Sequence, residues 1–78
     1  MKLQNLEGII TNIWRLNCSA YGNPRFNIEI DNDLVLTTKS DYSYCYNIEN
    51  LFNKQCVVSI EYYETKTGYR IQTIKEKN

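Results

Sequence analysis

The sequence predicts an all-β fold: a small five-stranded barrel, OB-like or SH3-like, with one short helical turn between its third and fourth strands. Three observations point there. The chain has 78 residues, enough for a single domain over residues 1–78 and too few for a second. Apolar residues alternate with polar ones through most of its length, and β-branched and aromatic types dominate those runs. Strands this short are unstable as an open sheet, and closing them removes their exposed edges. A chain of this size buries only about 60% of the surface its unfolded form exposes, so the expected core is thin.

Taken in order, residues 7–18 form the first strand, rich in Ile9, Ile10, Thr11, Ile13 and Trp14. Strict alternation places Ile10, Trp14, Leu16 and Cys18 on one face and Ile9, Thr11, Ile13 and Arg15 on the other. Both faces are partly apolar, which fits a strand that curls through a barrel and is covered on each side at different points. Residues 19–24 are loop chemistry: Gly22 permits positive φ, and Pro24 has no N–H to give a ladder. The second strand is the cleanest, with Phe26, Ile28 and Ile30 inward and Arg25, Asn27, Glu29 and Asp31 outward. Asp31, Asn32 and Asp33 make the next turn, and residues 34–39 a short third strand.

Residues 40–54 break the alternation. Asp41 is a candidate N-cap, Tyr42, Tyr44 and Tyr46 alternate as in a strand, and Ile48, Leu51 and Phe52 fit a helical turn. The expectation is an irregular connection ending in a short helix over residues 48–53. Residues 56–64 give the fourth strand, with Cys56, Val58, Ile60 and Tyr62 on one face. Residues 65–68, Thr-Lys-Thr-Gly, turn tightly into a fifth strand over residues 69–75.

Nine basic and nine acidic side chains leave no net charge, which excludes the strongly basic chain of a bulk DNA coat and leaves local basic patches open. There is no His, the commonest general base and metal ligand. The three cysteines, Cys18, Cys45 and Cys56, form no C-x-x-C pair and, without His, do not complete a four-ligand zinc site. Reduced thiols in a cytoplasmic setting are expected, the alternative being a disulfide between two of the three, with no metal and no cofactor. Lys2, Gln4, Asn5 and Glu7 stand where an export signal has its apolar core, and no run approaches the roughly 20 apolar residues of a membrane span. Asp31 and Asp33 are spaced to meet a divalent ion, yet no third ligand is in view and turns use Asp in any case, so no enzyme is expected.

The stretch Gly22-Asn23-Pro24-Arg25-Phe26 is the most informative. A turn this rigid holds its flanking side chains in place, Tyr21 to stack on a base and Arg25 to grip a phosphate. The alternative is that Arg25 pairs with Glu29 or Glu61 on the surface and Tyr21 caps the barrel mouth. Tyr42, Tyr44 and Tyr46, three of seven tyrosines, fall on one side of an extended segment. They form either a stacking or protein-binding patch or a wrap around the barrel's end, rings buried and hydroxyls wet. Charge is unevenly spread: residues 31–50 carry four acidic side chains against one basic, while Lys66, Arg70, Lys75 and Lys77 crowd the last hairpin. Those cations can line a groove with Arg15 and Arg25, and the acidic segment suits a basic protein surface. The candidate ligand-binding residues are therefore Arg15, Tyr21, Asn23, Arg25, Tyr44, Tyr46 and Arg70.

The same residues carry a resemblance. Gly22-Asn23-Pro24-Arg25-Phe26, then Thr38 and Asp41, then Tyr46, Ile48 and Asn50, follow the pattern G-N-P-R-aromatic…T-x-x-D…Y-x-[IL]-x-N. This resembles a group of very small proteins encoded by bacteriophages and other mobile elements, over about residues 8–74. Ser40 departs from the commoner form, which has Pro before the Asp. The resemblance implies a viral origin and a compact barrel; it implies no reaction.

Two functions are expected to fit these features. The first is a non-enzymatic phage-type protein that binds single-stranded nucleic acid or a nucleotide on its barrel surface. The alternative is an anti-defence inhibitor that binds a host protein or sequesters a signalling nucleotide. Under both, a thin core favours a homodimer in the host cytoplasm, with no membrane partner.

Overall fold

Three inward-facing residues on β2 set the geometry of the barrel. The computed structural model describes residues 2–17, 24–39 and 47–77. In order they form β1 (Gln4–Leu16), β2 (Arg25–Ile30), β3 (Leu34–Thr38), α1 (Ile48–Lys54), β4 (Val57–Thr65) and β5 (Gly68–Glu76). Phe26, Ile28 and Ile30 alternate inward along β2 and are all but fully buried. They meet Ile10, Leu36, Val58, Ile60, Ile71 and Ile74 in one apolar core. Ile48 and Leu51 of α1 join the same core and close the barrel end where β4 begins and β5 finishes. Lys54 Nζ donates to Glu76 Oε1 at that end, and the carboxylate holds the ammonium above its ordinary pKa.

The strands close in the order β1-β2-β3-β5-β4, with β3 and β5 parallel and every other neighbour antiparallel. Parallel neighbours need a long crossover; residues 39–67, carrying α1 and β4, supply it. An SH3-like barrel has no such parallel pair, so of the two architectures the sequence leaves open this order belongs to the OB type.

β1 is long enough to serve two partners. Its first half pairs with β4 and its second half with β2. Between them Thr11 is an extra residue: the register runs from Ile10↔Ile30 to Asn12↔Glu29. A bulge of this kind bends the strand and reverses its alternation. Ile10 and Ile13 therefore both face the core, while Trp14 and Leu16 face out. Strict alternation puts Trp14 on Ile10's side, and the bulge corrects that. A second bulge at Gln72 lets Ile71 and Ile74, three apart, both point inward opposite Tyr62 and Ile60.

The β2–β3 hairpin turns on Asp31 and Asn32, both with positive φ, and Asp33 N–H donates to Ile30 O. Asp and Asn tolerate this left-handed conformation better than other non-glycine residues. The turn is tied back to β1: Asp31 N–H donates to Ile9 O, Ile9 N–H to Asp31 Oδ1, and Asn32 N–H to Thr11 Oγ1. Thr65 and Gly68 close the β4–β5 turn as expected, the Thr65 hydroxyl donating to Gly68 O. Where β2 begins, the buried Thr38 hydroxyl accepts from Phe26 N–H at 2.9 Å. That bond satisfies a backbone donor the ladder does not reach. The candidate N-cap Asp41 lies outside the described residues; α1 starts after Asn47 and ends on Gln55 in a left-handed conformation. No helix among the described residues is long and apolar enough to cross a membrane.

Candidate functional site

The outward parity of the sheet brings together a row of side chains that the sequence separates widely. Trp14 lies opposite Asn27, Asn27 opposite Thr37, Thr37 opposite Arg70, and Arg70 opposite Tyr63. The row crosses every strand, from β1 through β2, β3 and β5 to β4. Neighbours in it are separated by one inter-strand step of about 4.8 Å along the curved sheet. Trp14 is 44% exposed, a large indole left in solvent by the β1 bulge. Asn27 and Thr37 are half-buried and joined by a 2.6 Å hydrogen bond from Thr37 Oγ1 to Asn27 Oδ1.

Arg25 stands two residues before Asn27 on the same outward side of β2 and opposite Leu16. It is half-buried, and its Nε is buried with no hydrogen-bond partner. The surface pairs that would neutralise it are absent among the described residues. Glu29 instead accepts from the Thr11 hydroxyl at 2.8 Å, and Glu61 from the Thr73 hydroxyl at 2.9 Å. The ion pairs found between two described residues are Lys54–Glu76 and Lys77–Glu7, neither on this row.

Of the sequence-derived candidates, Arg25 and Arg70 share the outward parity, on β2 and β5 with β3 between them. Arg15 does not join them. It lies opposite Phe26, on the inward parity, yet is exposed. Tyr21, Asn23, Tyr44 and Tyr46 lie outside the described residues, as do Cys18 and Cys45. Cys56 is a free, half-buried thiol whose Sγ sits 3.9 Å from Leu51 O. Asp31, considered for a divalent ion, spends Oδ1 on Ile9 N–H, and no group of three acidic or thiol side chains among the described residues is placed to hold a metal.

Trp14, Asn27 and Thr37 were not among the candidates. Alternation without a bulge buries Trp14, and Asn27 and Thr37 carry no charge to draw the eye. What identifies them is register, which pairs residues 10 to 33 positions apart in the chain. Charge divides along the same face. The β2–β3 turn carries exposed Asp31 and Asp33, while Arg25 and Arg70 sit toward the other end of the strands.

Compared with family models, with curated proteins and with solved structures, the chain matches none.

Proposed function

We propose that this protein is a non-enzymatic binding module, of the kind bacteriophages and mobile elements encode, that holds single-stranded nucleic acid or a nucleotide in the host cytoplasm. The observation that carries the reading is the exposed indole of Trp14 set beside Asn27 and Thr37, with Arg25 and Arg70 unpaired by any carboxylate among the described residues. A base stacks on an aromatic plane whatever its identity, and a guanidinium free of a carboxylate is available to phosphate. The outer surface of strands 2 and 3 is also where OB-type barrels take oligonucleotides, which is support by fold analogy. Zero net charge means that no long-range field draws the ligand in, so affinity rests on these local contacts.

Titration with a fluorescent 20-mer of single-stranded DNA at several salt concentrations tests this, with duplex DNA as control. Binding is expected to favour the single strand and to weaken with salt. Arg25→Ala is expected to weaken it further and to flatten the salt slope by about 0.7, the value of one phosphate contact on a single strand. A slope identical to wild type overturns the assignment of Arg25. Silence toward single strands at all salts overturns the reading. The second reading, an inhibitor docked on a host protein, then takes its place, favoured by exposed Trp14 and Val35 and by the acidic β2–β3 turn.

Under either reading the thin core, with Leu3, Ile9, Val35 and Val57 left 38–42% exposed, supports a symmetric dimer. Sedimentation at micromolar protein is expected to show twice the monomer mass; a monomer alone overturns the dimer.

A further inference from the structure

The amide of Asn27 is locked. Thr37 Oγ1 donates to Asn27 Oδ1 across the β2·β3 ladder at 2.6 Å, and this fixes which way the amide points. An Asn side chain carries one carbonyl acceptor and two amide protons. Here the carbonyl is engaged, and no hydrogen bond among the described residues engages Nδ2. On its other side Asn27 faces Trp14, the exposed indole of β1. A base stacked on that indole turns its edge toward a fixed pair of donors one strand away.

We propose that Asn27, held by Thr37, selects bases that present a carbonyl oxygen, thymine or uracil first, and disfavours adenine. The proposal rests on the reading that this face binds single-stranded nucleic acid or a nucleotide. Thymine and uracil present O2 and O4, acceptors that Nδ2 meets without help from Oδ1. Adenine has no carbonyl. Its usual contact with Asn is bidentate and needs Oδ1 to accept from N6 while Nδ2 donates to N7. Thr37 turns the oxygen that this second bond requires toward β3, away from a base stacked on Trp14. Thr37 is a positioning residue here: it acts on the ligand only through the orientation it gives Asn27.

The test uses the full chain and two probes, eight-residue oligothymidylate and eight-residue oligoadenylate, followed by quenching of Trp14, the chain's single tryptophan. Wild type is expected to prefer thymidylate roughly three- to ten-fold, the range of one net hydrogen bond. Asn27→Ala and the near-isosteric Thr37→Val are each expected to reduce that ratio below about two-fold, while Thr37→Ser, which keeps the hydroxyl, retains it. The self-stacking of adenylate is the same for every variant and cancels in the comparison. Equal affinity for the two probes in wild type, or a preference that Asn27→Ala leaves unchanged, overturns the proposal with the binding reading intact. No quenching and no binding by either probe overturns the binding reading itself, and the base preference with it.

Discussion

Gly8→Ala is expected to destabilise the protein by about 2–4 kcal/mol, combining overpacking of the core with loss of a backbone hydrogen bond. Gly8 lies on the inward side of β1, opposite Val58 of β4 and next to the β2–β3 turn. A Cβ there would stand 2.6 Å from Ile30 Cγ2 and 2.5 Å from Asp31 Oδ2. Neither neighbour yields cheaply. Ile30 is buried in the core, and the Asp31 carboxylate accepts from Ile9 N–H while its own backbone N–H donates to Ile9 O. Moving Asp31 therefore loosens the clasp that holds the turn to β1 beside the Thr11 bulge. The demand on Gly8 is for space, since its φ lies outside the left-handed region. In a domain of this size each kcal/mol is worth about 4–8 °C, so thermal unfolding followed by circular dichroism is expected to shift down by roughly 10–30 °C. A variant within about 0.5 kcal/mol of wild type shows that β1 and the turn separate without cost, and the clasp then contributes nothing.

The order of elements was readable because each of its signals is local. Alternation of Phe26, Ile28 and Ile30 with polar residues marks β2; two residues between Thr65 and Gly68 mark the β4–β5 turn; and Ile48 with Leu51 marks one face of a helical turn. Asp31 and Asn32 announce a turn by their tolerance of positive φ. The bulges were not readable. Thr11 is an ordinary strand residue, and nothing in its type says that it is the extra member; the slip arises because β1 must satisfy β4 with one half and β2 with the other. Gln72 is the same case on β5. That slip decides the candidate site, since it turns Trp14 outward and Arg15 onto the inward parity. Charge made Arg25 and Arg70 visible in the sequence, whereas Asn27 and Thr37 acquire meaning only from a hydrogen bond between strands. The N-terminal start of β1 at Gln4, three residues before the expected one, has the same origin: Gln4 and Asn5 are poor strand formers recruited by pairing with Tyr62 and Glu61.

Trp14→Ala is expected to weaken binding of single-stranded DNA by about 1–3 kcal/mol, roughly 5- to 150-fold, which is the worth of one base stacked on an aromatic side chain. Since the substitution removes the only tryptophan, anisotropy of a labelled oligonucleotide is the suitable readout. Stability is expected to change little, because nearly half of the indole is already in solvent and its neighbour Asn27 is held by Thr37 and not by the ring. Trp14→Phe keeps an aromatic plane and is expected to recover part of the loss. The salt dependence separates this residue from the arginines. Stacking releases no counterions, so the Trp14→Ala curve is expected to run parallel to wild type, displaced to weaker affinity, whereas Arg25→Ala changes the slope. A tryptophan can equally anchor a protein partner. In that case Trp14→Ala leaves oligonucleotide affinity within about two-fold of wild type, and the stacking role is lost while the exposed indole is left as the anchor of a protein contact. Parallel displacement for Trp14 together with a changed slope for Arg25 requires one ligand that offers both a π-face and a phosphate, and on this barrel the two residues face outward from neighbouring strands to meet it.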